Sequence, residues 1–308
     1  AQNNLFGYGQ RLSASARLSG KSSEFDIRFV EPWLFDKPLS FSFNVYKWER
    51  KYEEYTKDSL GSAIGLGFPL GLDEFTRGSV KYAWDKAKVD DIADTASLII
   101  KDMAGRSVTS SITLGIRRDS KDRPWNTRRG SVNSLTFEYA GGFLGGDVYF
   151  NKYLARSTWY FPVFEKSAFV LQGRWGYITR RAGGKLPVYQ KFRIGGINTV
   201  RGFNYGDISP VDPATGDRIG GEKMMVYNVE FRFPLLHEAG LMGLVFFDAG
   251  NVFTKDESYT FSGIKRSVGV GIRWYSPVGP LRLEYGKVLN RGPGDPSGNW
   301  EFSIGGLF

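Results

Sequence analysis

The sequence predicts an all-β chain, an antiparallel transmembrane β-barrel of about fourteen strands. Three observations carry that reading. Short segments alternate apolar and polar residues along the whole chain: Val229, Phe231 and Phe233 share one face while Asn228, Glu230 and Arg232 share the other, which is the period-two pattern of a strand. Connections alternate in kind, short proline-marked turns with longer polar loops. Aromatic residues make up 16% of the 308 residues, glycines number 39, and mean hydropathy is −0.30, too polar for a helical membrane protein and too aromatic for a disordered one. No window approaches the roughly 18 continuous apolar residues that a spanning helix needs. A closed barrel is the other structure that satisfies its backbone inside a bilayer.

In chain order, Asn3 to Gly9 reads as a turn, followed by alternating segments at Gln10 to Ser19 and Ser23 to Val30. Further strands read at Leu39 to Tyr52, Ser59 to Phe68, Thr76 to Ala87, Ser107 to Arg118, Ser131 to Ala140, Asp147 to Phe161 and Ala168 to Ile178. After a long connection come Met224 to Phe233, Gly243 to Phe253, Ser267 to Tyr275, Leu281 to Gly286 and Trp300 to Phe308. In the penultimate strand Leu281, Leu283 and Tyr285 oppose Arg282 and Glu284.

The connections separate a membrane barrel from a soluble sandwich. The short set is marked by Pro32, Pro69, Pro124, Pro162, Pro234 and Pro277; the polar set runs through Gly20 to Ser22, Lys51 to Asp58, Lys88 to Gly105, Arg180 to Glu222, Thr254 to Lys265 and Leu289 to Asn299. Tight turns on one side and long loops on the other is outer-membrane topology, with both chain ends at the periplasmic rim. Within Val89 to Met103, Ile92, Ala93, Ala96, Leu98, Ile99 and Ile100 sit among aspartates, at spacings that fit either a short surface helix or a disordered loop.

Several chemistries drop out on composition. The chain has no cysteine, and His237 is its single histidine, so disulfides, thiolate metal sites and histidine clusters are excluded. His237 lies in a turn and reads as a solvated turn residue. The formal net charge is +9, but the basic residues are spread evenly and alternate with apolar ones. They suit a barrel lumen and lipid headgroups, not a nucleic-acid patch. No phosphate-binding Gly-x-x-x-x-Gly-Lys-Ser/Thr pattern occurs. The sequence therefore implies no metal, no cofactor and no catalytic residues.

The informative connection lies between Arg180 and Glu222, longer than ordinary loops. It contains Ile194-Gly195-Gly196-Ile197-Asn198-Thr199-Val200-Arg201-Gly202-Phe203. The glycines permit a tight fold-back that displays Arg201, whose guanidinium fork calls for carboxylates. Glu230 and Asp248 follow in strongly alternating apolar stretches, where a charge needs a partner. The expectation is an ordered loop tucked into the lumen and anchored there by Arg201 on Glu230 and Asp248.

Gly195-Gly196 with Thr199-Val200-Arg201-Gly202-Phe203 resembles the lumen-loop motif of BamA and its relatives, the outer-membrane assembly factors and translocators. The resemblance extends to Asn228-Val229-Glu230-Phe231, Phe246-Phe247-Asp248-Ala249-Gly250 and Tyr275-Ser276-Pro277-Val278-Gly279-Pro280-Leu281. Phe302-Ser303-Ile304-Gly305-Gly306-Leu307-Phe308 resembles the terminal strand that ends in an aromatic residue. The resemblance implies a barrel of sixteen strands whose first and last meet at a weak seam, preceded by periplasmic POTRA domains. Residues 1–308 would form the barrel domain alone, because the opening turn resembles the one after the second family strand. Two strands and the POTRA domains would then be absent from this chain.

The function implied by this resemblance is insertion of outer-membrane β-barrel clients, with Val200, Arg201, Gly202 and Phe203 as the lumenal motif. Trp300, Phe302, Ile304, Gly305, Gly306 and Phe308 would form the seam strand, its glycines weakening pairing and packing. Implied partners are unfolded barrel clients, outer-membrane lipid and lipopolysaccharide, and periplasmic assembly lipoproteins reached through POTRA domains, with no nucleic acid. The implied location is the Gram-negative outer membrane. A two-partner secretion translocator is the alternative within the same superfamily. A diffusive porin would not need the glycine-arginine motif, and a membrane hydrolase would want more than His237.

Overall fold

Alternation in this chain is long enough, segment by segment, to make strands that cross a bilayer, and each strand pairs with the next in sequence. The computed structural model describes all residues except 1, 6, 8, 21, 165, 237, 277, 278 and 305–308, and only the backbone at 2, 3 and 19. The strands are β1 (Gln2–Leu5), β2 (Gln10–Ser19), β3 (Ser22–Glu31), β4 (Ser40–Lys51), β5 (Thr56–Pro69), β6 (Thr76–Asp90), β7 (Gly105–Asp119) and β8 (Gly130–Ala140). They continue as β9 (Phe150–Pro162), β10 (Ala168–Arg180), β11 (Lys223–Leu236), β12 (Leu241–Phe253), β13 (Lys265–Ser276), β14 (Gly279–Val288) and β15 (Gly298–Ile304). Their order in the single sheet is their order in sequence. Among the described residues no ladder joins β15 to β1, so the sheet presents two edges.

Fifteen strands replace the fourteen read from alternation. The extra one, β1, occupies part of the stretch read as an opening turn and pairs with β2 through a register shift between Asn3 and Leu5. Four residues with a bulge carry too short an alternation to register as a strand. The other disagreement lies at β9, which starts at Phe150 and not at Asp147. Gly141, Gly142, Gly145 and Gly146 all take positive φ, and they hold residues 141–149 as a loop.

Proline placement follows from its missing N–H. Pro69 and Pro162 are the last residues of β5 and β9. Pro234 lies inside β11, and the register shifts between it and Leu236. The prolines thus sit where the ladder ends or slips, at the rim of short connections. Pro277 and the lone histidine, His237, lie outside the described residues.

At the opposite rim the connections are ordered. Residues 91–104 contain one helical turn, α1 (Leu98–Lys101), begun by Ser97, whose hydroxyl accepts the Ile100 N–H at 3.3 Å. Ala96 and Ile100 are buried with Tyr55 and Val89, with Ile92, Ala93 and Tyr189 packed against them, while Leu98 and Ile99 face out. Of the two readings of this segment, the short helix is the one found.

The two faces of the sheet differ as alternation requires. Phe247, Trp274 and Leu283 are exposed at 38–44%, whereas Glu230, Asp248, Arg273 and Glu284 are at 6% or less. Phe231, Phe233 and Tyr285 are half-buried because ring neighbours cover them: Phe231 stacks on Phe233 at 5.8 Å, and Tyr285 meets Trp300 at 5.1 Å. A surface with apolar residues outside and charges inside is the inverse of a soluble sandwich, and it suits lipid.

Nitroxide labels at Leu135 and Leu283 are expected to collide with oxygen dissolved in lipid, and one at Glu138 with a water-soluble nickel reagent. The reverse pattern at these sites would invert the strand phase. On intact cells an impermeant thiol reagent should modify Asp256→Cys and leave a cysteine at Asp73, on the proline-marked rim, untouched.

Candidate functional site

The connection between β10 and β11 turns back into the space the sheet encloses. Its apolar residues Phe192, Ile194, Val200, Phe203 and Ile208 pack in one cluster with Phe150 and Ile178 of the wall and with Val226, Val252 and Val288 near the strand ends. Val200 and Phe203 are fully buried. Ile194 and Ile208 exchange backbone hydrogen bonds at 3.1 and 3.0 Å, closing the base of the fold-back, and the Gly196 N–H donates to the Phe203 carbonyl at 2.8 Å. Gly195 and Gly196 sit at φ +126° and +87°, a region that favours glycine.

The loop touches the wall backbone to backbone. A Cβ on Gly286 of β14 would lie 2.6 Å from the Gly202 nitrogen, and one on Gly202 would lie 2.8 Å from the Gly286 carbonyl oxygen. Two glycines facing each other bring the Arg201 main chain onto the strand and leave its side chain free to cross to the other strands.

That side chain reaches three carboxylates. Arg201 donates from Nε and Nη2 to the two oxygens of Asp248, both at 2.7 Å, and from Nη1 to Glu230 Oε1 and Glu284 Oε2, both at 2.7 Å. Its backbone N–H also donates to Asp248 Oδ2 at 3.0 Å. The guanidinium carbon lies 3.5 Å from the centroid of the Phe246 ring. Asp248 and Glu284 are fully buried, and Glu230 is 6% exposed.

Each carboxylate is held from more than one side. Arg273 forks onto Glu230 at 2.8 and 3.1 Å and reaches Glu284 at 2.8 Å; Arg232 donates to Glu230 at 2.8 Å, and Arg282 to Glu284 at 2.9 Å. Asn228 donates to Asp248 at 2.7 Å and to the Thr199 carbonyl at 2.6 Å. Arg273 and Arg282 stand directly opposite across β13 and β14, a like-charge placement that costs stability unless an anion intervenes. Glu284 Oε1 bonds both of them. Arg282 also binds the loop, at Asn198 Oδ1 and the Ile197 carbonyl.

Room for this network is made on β13. A Cβ on Gly271 would meet Glu284 Cγ at 2.6 Å, and one on Gly269 would meet the Phe246 ring at 2.3 Å. Both glycines fall on the lumenal phase with Arg273, so alternate glycines there leave space for side chains of the neighbouring strands.

Of the residues singled out from sequence, Val200, Arg201, Gly202, Phe203, Glu230 and Asp248 come together. Trp300, Phe302 and Ile304 project outward from β15, each 63% exposed. Gly305, Gly306 and Phe308 lie outside the described residues. Sequence reading set Glu284 on the polar face of its strand but did not join it or Arg273 to Arg201, and it missed Glu301, whose Oε1 accepts the Gly202 N–H at 2.9 Å. A charged residue between the apolar Trp300 and Phe302 was the available signal. Among the described residues no group of histidine and carboxylate side chains is arranged to hold a metal. The three carboxylates that converge do so on guanidinium groups, which fasten the loop to the wall.

The Omp85 superfamily domain matches residues 4–308. Over the whole chain the sequence is 34% identical to the outer membrane protein assembly factor BamA of Nitratidesulfovibrio vulgaris, covering 39% of that protein. The BamA of Neorickettsia risticii is 27% identical over 98% of the chain and 42% of its own length. The chain thus spans about two fifths of the curated relatives it matches. The crystal structure of BamA from Haemophilus ducreyi lacking POTRA domains 1-3 superposes with a TM-score of 0.82 at 20% identity, covering 98% of this chain and 65% of that one. That likeness is one of fold.

Arg201→Ala should weaken docking of the loop by about 3–5 kcal/mol, read as hydrogen exchange of residues 194–203. Glu230 and Glu284 keep other arginines, whereas Asp248 loses its guanidinium and is left with Asn228 and the backbone N–H of residue 201. Asp248→Ala should do similar harm, and the double variant should lose less than the sum of the two. Arg201→Lys is expected to restore part of the docking, since it keeps charge and loses the fork. Strictly additive losses would exclude a shared lock. Separately, Gly286→Ala should undock the loop with every charge in place.

Proposed function

Because the chain belongs to the Omp85 superfamily, we propose that it is the barrel of an outer-membrane protein assembly factor that folds β-barrel clients and inserts them through a lateral seam at its terminal strand. The observation that carries this reading is the match along the whole chain to a relative named as an assembly factor. The protein resides in the outer membrane of a Gram-negative bacterium, and its work needs no nucleotide.

The physical problem is that a strand entering lipid carries unpaired N–H and C=O groups, each costing several kcal/mol. An open strand edge satisfies them by β-augmentation. The pairing of β15 to β14 spans Leu281 to Lys287, and among the described residues its other edge has no partner, which supports its use as a template for a client strand. Each client residue that pairs replaces a lost water hydrogen bond, so folding of the client supplies the driving force.

Two contacts tie this edge to the docked loop: Glu301 with the Gly202 N–H, and Asn299 Nδ2 with Asn204 Oδ1 at 3.0 Å. They support a role for the loop in holding β15 in a defined position against β14 while its outer edge is engaged. POTRA domains preceding the barrel would deliver unfolded clients and dock assembly lipoproteins. Lipid and lipopolysaccharide would meet the apolar outer face.

In proteoliposomes containing the full-length protein, client barrels should acquire heat-modifiable migration without added nucleotide. A cysteine at Ser303 should form a disulfide with the terminal strand of a client caught midway. Client folding at the normal rate with no crosslink to any position of β15 would overturn the seam. Export of a soluble substrate with no insertion of barrels would overturn the assembly reading in favour of a translocator. Glu301→Ala should slow insertion while leaving the Arg201 lock intact, at a cost of about 1.5–3 kcal/mol for a hydrogen bond to a charged acceptor.

A further inference from the structure

Residues on the lipid-facing phase of the last strands are well exposed where only lipid can cover them: Phe247 is at 38%, Val245 at 44% and Val270 at 55%. The pattern breaks near the long-loop ends of β11 and β12. Met225 shares its face with Tyr227, and Ala249 and Phe253 share theirs with Val245 and Phe247, by the period of two. Yet these three are only 2%, 7% and 3% exposed. They form an apolar cluster with Ile264, and Tyr227 packs against it. The cover is the connection between β12 and β13, residues 254–264, which folds outward over the wall.

Three contacts fix the path of this connection. Lys223 donates from Nζ to the carbonyls of Lys255 and Glu257 at 2.9 and 2.5 Å. The Tyr259 hydroxyl donates to the Gly176 carbonyl of β10 at 2.8 Å, and its ring meets Phe253 edge-on at 5.8 Å. The Phe261 ring lies 5.7 Å from that of Tyr227. Tyr227 stands opposite Ala249, four residues before Phe253, so the tip of the connection descends roughly 13 Å along the strands. Tyr227 also meets Trp175, whose indole N–H donates to its hydroxyl at 3.0 Å. Rings with an apolar body and a polar handle mark the headgroup level of a membrane barrel. At that level Phe261 is 70% exposed and Tyr259 44%.

We propose that residues 254–264 are a flap resting on the outer leaflet, with the Phe261 ring inserted among acyl chains beside Tyr227. The partner of this surface is a lipid layer, because the ring continues the lipid-facing surface of β10 and β11 through its contact with Tyr227. A loop without ladder partners cannot lie in hydrocarbon, so the flap backbone stays among the headgroups and the ring alone reaches deeper. The flap thereby anchors this side of the barrel at a fixed depth, whichever clients the barrel serves.

The test places single nitroxide labels on the full-length protein in vesicles of phosphatidylcholine and phosphatidylglycerol; residues 1–308 contain no cysteine of their own to compete for the label. A label at Phe261→Cys is expected to collide with oxygen in preference to a water-soluble nickel reagent, as is one at Val270→Cys, whereas a label at Asp256→Cys should show the opposite preference. Preference for nickel at 261 with oxygen preferred at 270 overturns the flap, and preference for nickel at both overturns the lipid-facing phase with it. Exclusion of both reagents at 261 overturns the flap in favour of a protein partner or a second copy. The anchoring role is read by hydrogen exchange of residues 256–263 in the same vesicles. Phe261→Ser should speed exchange several-fold with heat-modifiable migration unchanged, and Phe261→Leu, which keeps an apolar side chain, should speed it less. Equal exchange in Phe261→Ser and the unsubstituted protein overturns anchoring by the ring.

Discussion

One buried guanidinium organises this protein. Arg201 enters the lumen on a loop and meets Asp248, Glu230 and Glu284, which come from β12, β11 and β14. Without it Glu230 and Glu284 would keep Arg232, Arg273 and Arg282, but buried Asp248 would lose the guanidinium that pairs with it. The loop is therefore part of the interior of the sheet, much as a core is part of a soluble domain. The difference is chemical: a soluble core is joined by apolar contact, whereas here one apolar cluster around Val200 and Phe203 is combined with a buried network of charges.

Charge makes the interior selective about geometry. An ion pair withdrawn from water recovers its desolvation cost only when nearly every donor and acceptor is matched. The lock achieves this by sharing: Glu230 serves Arg201, Arg232 and Arg273, and Glu284 serves Arg201, Arg273 and Arg282. Such sharing needs side chains at close quarters, and the glycines at 269, 271 and 286 provide the room. Small residues in the wall and large charged residues in the lumen are two parts of one arrangement.

The same arrangement links the lumen to the edge of the sheet. Glu301 is on the last strand and accepts the N–H of Gly202, the residue next to Arg201, at 2.9 Å. A strand edge offered to other chains is an aggregation hazard in most proteins. Under the proposed function that edge is the working surface, and the loop bonds the strand that carries it.

Periodicity is a local property, and what depends on it was legible in the amino-acid sequence: the fourteen longer strands, the two faces, the alternation of turns with loops, and the lumenal position of Glu230, Asp248 and Glu284. The pairing of Arg201 with Glu230 and Asp248 was also legible, because a displayed arginine and two charges in apolar strands each lacked a partner. The short β1 escaped, since four residues with a bulge carry almost no period. So did the ordering of residues 91–104, where irregular spacing hid the burial of Ala96 and Ile100 against Tyr55. Which cations share which carboxylate and the bond from Glu301 were decided by tertiary structure alone. These depend on register between strands and on the path of a forty-residue loop across them, and a difference of one residue in either would give every charge a different neighbour.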